Sequence, residues 1–339
     1  MRFGVVVLLS LVGVVLSASV VLLDTMFGGR RNDGLVIGLS TVDLSTQVYR
    51  NHATLTGTSS AWSRYSFGIS SMDSCGGTLW GVNIKSFWSN EATPRFYTVT
   101  FDPEVKVRFQ DSTNYTFDLP LSMTFDQVSK KLLAVVRPAL LVEIDPSQKF
   151  TTRTLLNFSE TAGFEGFGGF TSKLRDHFLT IDHEKRLLLL VAASGDLFQI
   201  PLANPSDWSR VNSRCLSGEK LLHASWDPKK NEIVTVFSDR SSFSAFIRSQ
   251  PLSDLQNCSL SGQLSGVNET PPSAAVSHDA RLAFVDDGYT GYYLANLTYG
   301  TFRTAKHRWS SNFHTSIAAF FIEKGFCVGS TGNGRGQAK

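Results

Sequence analysis

The chain has 339 residues, 42% hydrophobic and 18% charged, with a formal net charge of +3 and no long run of one sign. Such a length supplies one large all-β domain or two ordinary domains, with about three quarters of the unfolded surface buried. The even charge balance excludes both the basic stripe of a nucleic-acid binder and the self-repelling composition of a disordered acidic chain. No nucleic-acid partner is expected. The 25 phenylalanines, the abundant Ser and Thr, and the lack of long helical periodicity beyond the N-terminus favour strands and turns.

The chain begins MRFGVVVLLSLVGVVLSASVVLLDT, with one Arg, an apolar run from Val5 to about Val15, and small residues at Ser17, Ala18 and Ser19. This layout predicts a secretory signal peptide over residues 1–19, cleaved near Ser17 to Ser19. Apolar character continues to Leu23, so an uncleaved anchor ending there is the alternative. Both place the body of the chain outside the cell or in the endomembrane lumen, with no membrane association unless the segment is retained.

Four cysteines and five N-glycosylation sequons, at Asn114, Asn157, Asn257, Asn268 and Asn296, agree with that compartment. Asn268 is the weakest acceptor, because Pro271 follows its Thr270.

From residue 66 onward one unit recurs: an apolar strand ending in a polar residue, a short turn, then a second apolar strand. It reads FGISSMDSCGGTLWGV, LPLSMTFDQVSKKLLAVV, FLTIDHEKRLLLLV, LHASWDPKKNEIVTVF, PSAAVSHDARLAFV and SIAAFFIEKGFCVG. The turn residues Asp73, Asp126, Asp182, Asp227, Ser277 and Glu323 are spaced by 53, 56, 45, 50 and 46 residues, close to a propeller blade repeat. Side-chain to backbone bonding explains an acid at a tight turn, so Asp182 and His183 read as turn residues. The same stretch has no second histidine for a His-Glu-x-x-His zinc site.

Between these units lie more polar hairpins, such as RFYTVTFDPEVKVRF and DLFQIPLANPSDWSRV. Each blade thereby acquires four strands. An outer hairpin at 34–50 and an inner hairpin at 315–329 are left over, and joining them completes a sixth blade and removes the open edge. The predicted fold is all-β: a single six-bladed β-propeller of four-stranded blades over 34–329, followed by a disordered Gly-rich tail over 330–339. Cys215 and Cys258 follow the outer hairpins of consecutive blades, which favours a bridge between them, with Cys75 and Cys327 as the second pair.

The repeat over 34–329 resembles the six-bladed propellers of the TolB-like or SMP-30 and NHL-like kind. No Trp-Asp pair or kelch-type double glycine recurs at matching blade positions, and no Tyr-Trp-Thr-Asp block occurs. Fold by itself does not define function.

In such propellers, loops leading into the inner strands and loops joining the second strand to the third share one face around the central channel. The candidates on that face are Trp62, Trp88, Glu165, His177, His223, Asp239, Asp286 and His314. The insertion NFSETAGFEGFGGFTSKLRDH at 157–177 belongs to the same face; its glycines lack the spacing and strand-turn-helix setting of a dinucleotide site. Nucleophile elbows and phosphate loops do not occur. Two functions fit: an extracellular propeller binding a protein or glycan without a cofactor, or a metal-assisted hydrolase or lactonase. The latter resembles SMP-30-like lactonases and requires a divalent cation such as Ca²⁺ or Zn²⁺ in the channel.

Overall fold

The computed structural model describes residues 19–322 apart from 27–35, 56–69, 74–76, 85–93, 102–103, 112–119, 137–139, 159–176, 218–219, 240–241, 257–258, 268–272, 278–279, 288–290, 298–302 and 309–314. Its 24 strands form six antiparallel sheets of four. Blade 1 contains β4 (Ser70–Asp73), β5 (Thr78–Ile84), β6 (Pro94–Thr100) and β7 (Lys106–Asp111). Blade 2 contains β8 (Pro120–Asp126), β9 (Lys131–Val136), β10 (Leu140–Asp145) and β11 (Thr151–Asn157). Blade 3 follows with β12 (His177–Asp182), β13 (Leu187–Ala192), β14 (Ser194–Pro201) and β15 (Ser209–Ser217). Blade 4 has β16 (Lys220–Asp227), β17 (Glu232–Asp239), β18 (Ser244–Pro251) and β19 (Ser259–Ser265), and blade 5 has β20 (Ala274–Val276), β21 (Leu282–Asp286), β22 (Gly291–Asn296) and β23 (Arg303–Arg308).

Blade 6 joins the two ends of the chain, but differently from the predicted pair of hairpins. Its order is β24 (Thr315–Ile322), β1 (Ser19–Met26), β2 (Val36–Asp43) and β3 (Val48–Leu55), three N-terminal strands and one C-terminal strand. The partner of β24 is β1, in a register that sets Ser19 opposite Ile322 and Thr25 opposite Thr315. The physical reason is burial on both faces. Val20 and Leu22 pack toward blade 5 with Phe284 and Tyr292, whereas Val21 packs toward blade 1 with Leu79 and Tyr97. The apolar residues that resemble the end of an anchor thus have the two-sided pattern of a buried strand.

Six hydrophobic clusters fill the six boundaries between neighbouring blades, closing the ring. Central strands read as nearly unbroken apolar runs because both faces meet another blade; β9 (KLLAVV) and β13 (LLLLVA) each bury five of six residues. The outer β11 (TTRTLLN) has no fully buried position and tolerates polar residues accordingly.

The turn acids behave as their spacing suggests. Asp73, Asp126, Asp182, Asp227 and Ser277 close the inner strands and are at most 7% exposed. The Asp182 carboxylate accepts from the Glu184 and Lys185 amides, and the Ser277 hydroxyl accepts from the Arg281 and Leu282 amides. These side chains satisfy backbone donors that a tight turn would otherwise leave open. Glu323 lies outside the described residues.

Candidate functional site

Strand direction divides the disc into two faces. The loop face carries the segments into each inner strand and those joining second to third strands, while the turn face carries the short hairpins at the opposite ends. Of the predicted loop-face residues, Trp62, Trp88, Glu165 and His314 lie outside the described residues, as does most of the 157–177 insertion. The remaining four belong to blades 3, 4 and 5.

His177 opens β12 opposite Ala192. His223, in β16, rests against the ring of Phe178 from blade 3, with centroids 5.7 Å apart. Burial pushes its pKa down to about 4, so the imidazole is neutral near pH 7. Asp239 ends β17 and accepts a 2.8 Å hydrogen bond from the Ser242 hydroxyl across the following loop. Asp286 is fully buried at the end of β21, where its amide donates to the Ser273 carbonyl at 3.1 Å.

Its neighbour Asp287 organises the loop beyond. One carboxylate oxygen accepts from the Gly291 amide at 2.9 Å, and the other lies 3.0 Å from Lys306 Nζ. Burial would lower the Lys306 pKa, but the contacts with Asp287 outweigh it and raise the value above that of an ordinary lysine. Gly291 is demanded by geometry, since an added Cβ would stand 1.8 Å from the His307 carbonyl oxygen. Lys306 escapes sequence reasoning because its partner is 19 residues away and set only by the pairing of β22 with β23.

Among the described residues, no three His, Cys, Asp or Glu side chains converge to hold a metal ion. The loop-face polar groups with mapped contacts serve local folding: His223 packs between blades, and Asp239 and Asp287 fasten loops.

The turn face has different chemistry. On blade 2 an open groove of about 250 Å³ is lined by Lys131, Glu143, Gln148, Thr151 and Arg153, among others. Lys131 Nζ lies 2.7 Å from Glu143 and the Arg153 guanidinium 3.3 Å from it. Asp145 accepts from both the amide and the hydroxyl of Ser147, at 2.9 and 2.6 Å. The hydroxyl bond leads the contacts that hold its carboxyl below the usual range against a smaller opposing effect of burial. Sequence reasoning, directed to the loop face, did not single out this groove.

The fold and its two faces define a six-bladed β-propeller. The chain matches no family model, and no curated protein matches it. Among solved structures, a chain of a nidogen/laminin complex superposes with TM-score 0.58 at 6% identity, covering 90% of this chain and 98% of that one. A putative 6-phosphogluconolactonase from Bacteroides uniformis gives 0.55 at 9% identity, covering 91% and 100%. The periplasmic gluconolactonase of Pseudomonas aeruginosa gives 0.52 at 10% identity, covering 89% and 100%. At these identities the likeness is one of fold alone.

Proposed function

We propose that the chain is a secreted glycoprotein whose propeller binds an extracellular protein or glycan. The observation that carries this reading is His223, the candidate ligand with the best-defined surroundings, which is half-buried against Phe178. Asp239 is engaged by Ser242. Groups committed to blade packing and loop closure make a rigid platform, leaving recognition to the loops, to which the sequence assigns Trp62 and Trp88, aromatic residues of the kind binding sites use.

Strand β1 supports secretion with cleavage. Removal of the leader near Ser17 to Ser19 releases a chain with six complete blades, whereas an anchor reaching Leu23 would take in half of β1. A Cys215–Cys258 bridge fits the same compartment. Cys215 is buried and is not a free thiol, its sulfur lies 3.5 Å from the Gln256 carbonyl, and Ser213 bonds the Leu255 carbonyl. Residues just before Cys258 therefore run beside β15. Cys258, like Cys75 and Cys327 of the second proposed pair, lies outside the described residues, as do the acceptors Asn114, Asn257 and Asn268; Asn157 and Asn296 are exposed at strand ends.

The second reading, a TolB-like or SMP-30-like lactonase with Ca²⁺ or Zn²⁺ in the channel, is favoured by the likeness to two lactonase propellers. One experiment separates the two readings. The secreted, deglycosylated protein is analysed for bound metal and for a thermal shift with chelator or added Ca²⁺, Zn²⁺ or Mg²⁺. The binding reading expects no stoichiometric ion and no shift. An ion whose removal lowers the melting temperature, together with turnover of a lactone, overturns it in favour of the hydrolase.

A further inference from the structure

We propose that Phe243 is the stacking platform of a neutral-saccharide site on the loop face of blade 4. The proposal rests on the binding reading above and deepens it by naming a ligand class and a contact residue.

One turn design recurs along the chain. An aspartate pairs with the residue five positions on, and the fourth residue after the aspartate takes a positive φ. Five such turns lie on the turn face, and their left-handed positions hold Gln47, Gly77, Lys130, Arg186 and Asn231, at φ 54° to 60°. A sixth, from Asp239 to Ser244, joins β17 to β18 on the loop face, and there the left-handed residue is Phe243, at φ 48°. Glycine suits this backbone, and a bulky apolar residue does not.

Burial does not explain the phenylalanine. Phe150, the other phenylalanine with positive φ among the described residues, is 1% exposed, its ring stacked on Phe96 of blade 1 with centroids 4.2 Å apart. Phe243 is 47% exposed. Its backbone strain and its exposed ring both work against the fold, a combination that marks a functional position.

The backbone beneath the ring is nonetheless well fastened. The Ser242 hydroxyl donates to Asp239 at 2.8 Å, the Ser244 hydroxyl to the Ser242 carbonyl at 3.0 Å, and the Gln263 side-chain amide to the Ser244 hydroxyl at 3.3 Å. The Val267 amide donates to the Phe243 carbonyl at 3.0 Å, tying the turn to the residues just after β19. A platform set before the ligand arrives loses little freedom on binding.

The surroundings select the ligand. Ser242, Gln263, Ser265 and Gly266 are exposed at this corner, and among the described residues of the turn and of β19 only Asp239 is charged. A pyranose ring has an apolar face of C–H groups that stacks on an aromatic ring, while its hydroxyls exchange hydrogen bonds with serine hydroxyls and the glutamine amide. The carboxylate of Asp239 offers no counter-charge to an acidic sugar. An anchor for a protein partner would be ringed by apolar contacts, whereas the exposed neighbours of Phe243 here are hydrophilic residues and a glycine.

The test is isothermal titration of the secreted, deglycosylated protein with neutral trisaccharides of glucose, mannose, galactose and N-acetylglucosamine, and with a heparin oligosaccharide as the acidic control. The wild type is expected to bind at least one neutral trisaccharide, Phe243→Gly to bind it roughly tenfold or more weakly, and Phe243→Trp to keep the binding. Phe243→Gly should also melt at the wild-type temperature or above it, because glycine relieves the backbone; a ring that served the fold would give the reverse. The proposal is overturned if no neutral trisaccharide binds, if only the heparin oligosaccharide binds, if Phe243→Gly binds unimpaired, or if it melts lower than the wild type. Such a failure bears on this site alone, since the broader binding reading is decided by the metal and lactone assays.

Discussion

Arg186 clamps Asp126 across the boundary between blades 2 and 3, each terminal guanidinium nitrogen 2.6 Å from one carboxylate oxygen. Arg186 sits in the left-handed region at φ 54°, the conformation that closes the β12–β13 turn and aims its side chain at the preceding blade. Burial alone would raise the Asp126 carboxyl, but hydrogen bonds from Arg186, Ser129 and the Val128 amide, with the His183 ring 3.5 Å away, outweigh it and hold the pKa well below the usual range. The charged cluster in LTIDHEKR is therefore an interblade clamp.

Removing Arg186 leaves a buried carboxylate without its counter-ion. Because the Asp126 side chain is 2% exposed and that of Arg186 33%, Arg186→Met should cost about 2–4 kcal/mol in urea unfolding, toward the lower end for a buried pair. A depressed carboxyl contributes stability that is present above its unfolded pKa, about 3.9, and is lost as pH falls toward its folded value. The wild type should thus lose stability progressively below about pH 5, and Asp126→Asn should flatten that slope. An unchanged acid slope in Asp126→Asn would show that the clamp does not control it.

His223 makes stability fall with pH in the same direction, in a higher window. Its pKa is about 4 in the fold, against about 6.5 when exposed. Between those values the unfolded chain binds the extra proton, so stability is full above about pH 6.5 and falls as pH drops toward 4. His223→Phe, which keeps a ring against Phe178, should remove about 1–3 kcal/mol of this pH dependence. Denaturation midpoints measured at the two ends of the window would reveal it.

Left-handed turn positions offer a matched pair of substitutions. Gln47 and Gly77 each stand four residues after a turn-opening aspartate, at φ 59° and 60°. Gln47 is exposed, so Gln47→Gly should stabilise by about 0.5–1 kcal/mol through relief of backbone strain. Gly77 has open space where a Cβ would project, so Gly77→Ala should destabilise by about 1 kcal/mol from its dihedral alone. Melting temperatures moving in the same direction would contradict this account.

Gly291 makes a steric prediction of another kind. The obstacle to a Cβ there is the His307 carbonyl oxygen, part of the β22–β23 ladder, and cannot rotate aside. Gly291→Ala should cost about 3 kcal/mol, the upper end of an overpacked site, and weaken hydrogen-exchange protection first in β23.

The blades were legible because the turn acids recur and because period-2 and apolar runs separate outer from central strands. Asp126, Asp182 and Asp227 all serve the turns their spacing implies. Partners in different blades were not legible: Arg186 with Asp126, and Phe150 with Phe96, meet only after the ring forms. The seam was misassigned for a related reason. VVLLD reads equally as the end of an uncleaved anchor or as a strand buried on both faces, and only pairing with β24 separates them. The groove on blade 2 was missed because its residues come from three strands and one left-handed turn, each unremarkable alone.

That seam supplies the most demanding prediction. A chain beginning at Ser19 retains β1, while one beginning just after Met26 lacks the strand that joins β24 to β2. Loss of β1 also removes Val20, Val21 and Leu22, all fully buried, from the boundaries with blades 5 and 1. The two exposed strand edges would then be free to pair between molecules. The Ser19 chain should remain monomeric and unfold in one cooperative transition, whereas the shorter chain should aggregate or unfold at a markedly lower temperature. Size-exclusion chromatography and calorimetry on both would decide, and N-terminal sequencing of the secreted protein should find its first residue between Ala18 and Val20. A stable, monomeric chain without β1 would mean that the ring closes by another strand.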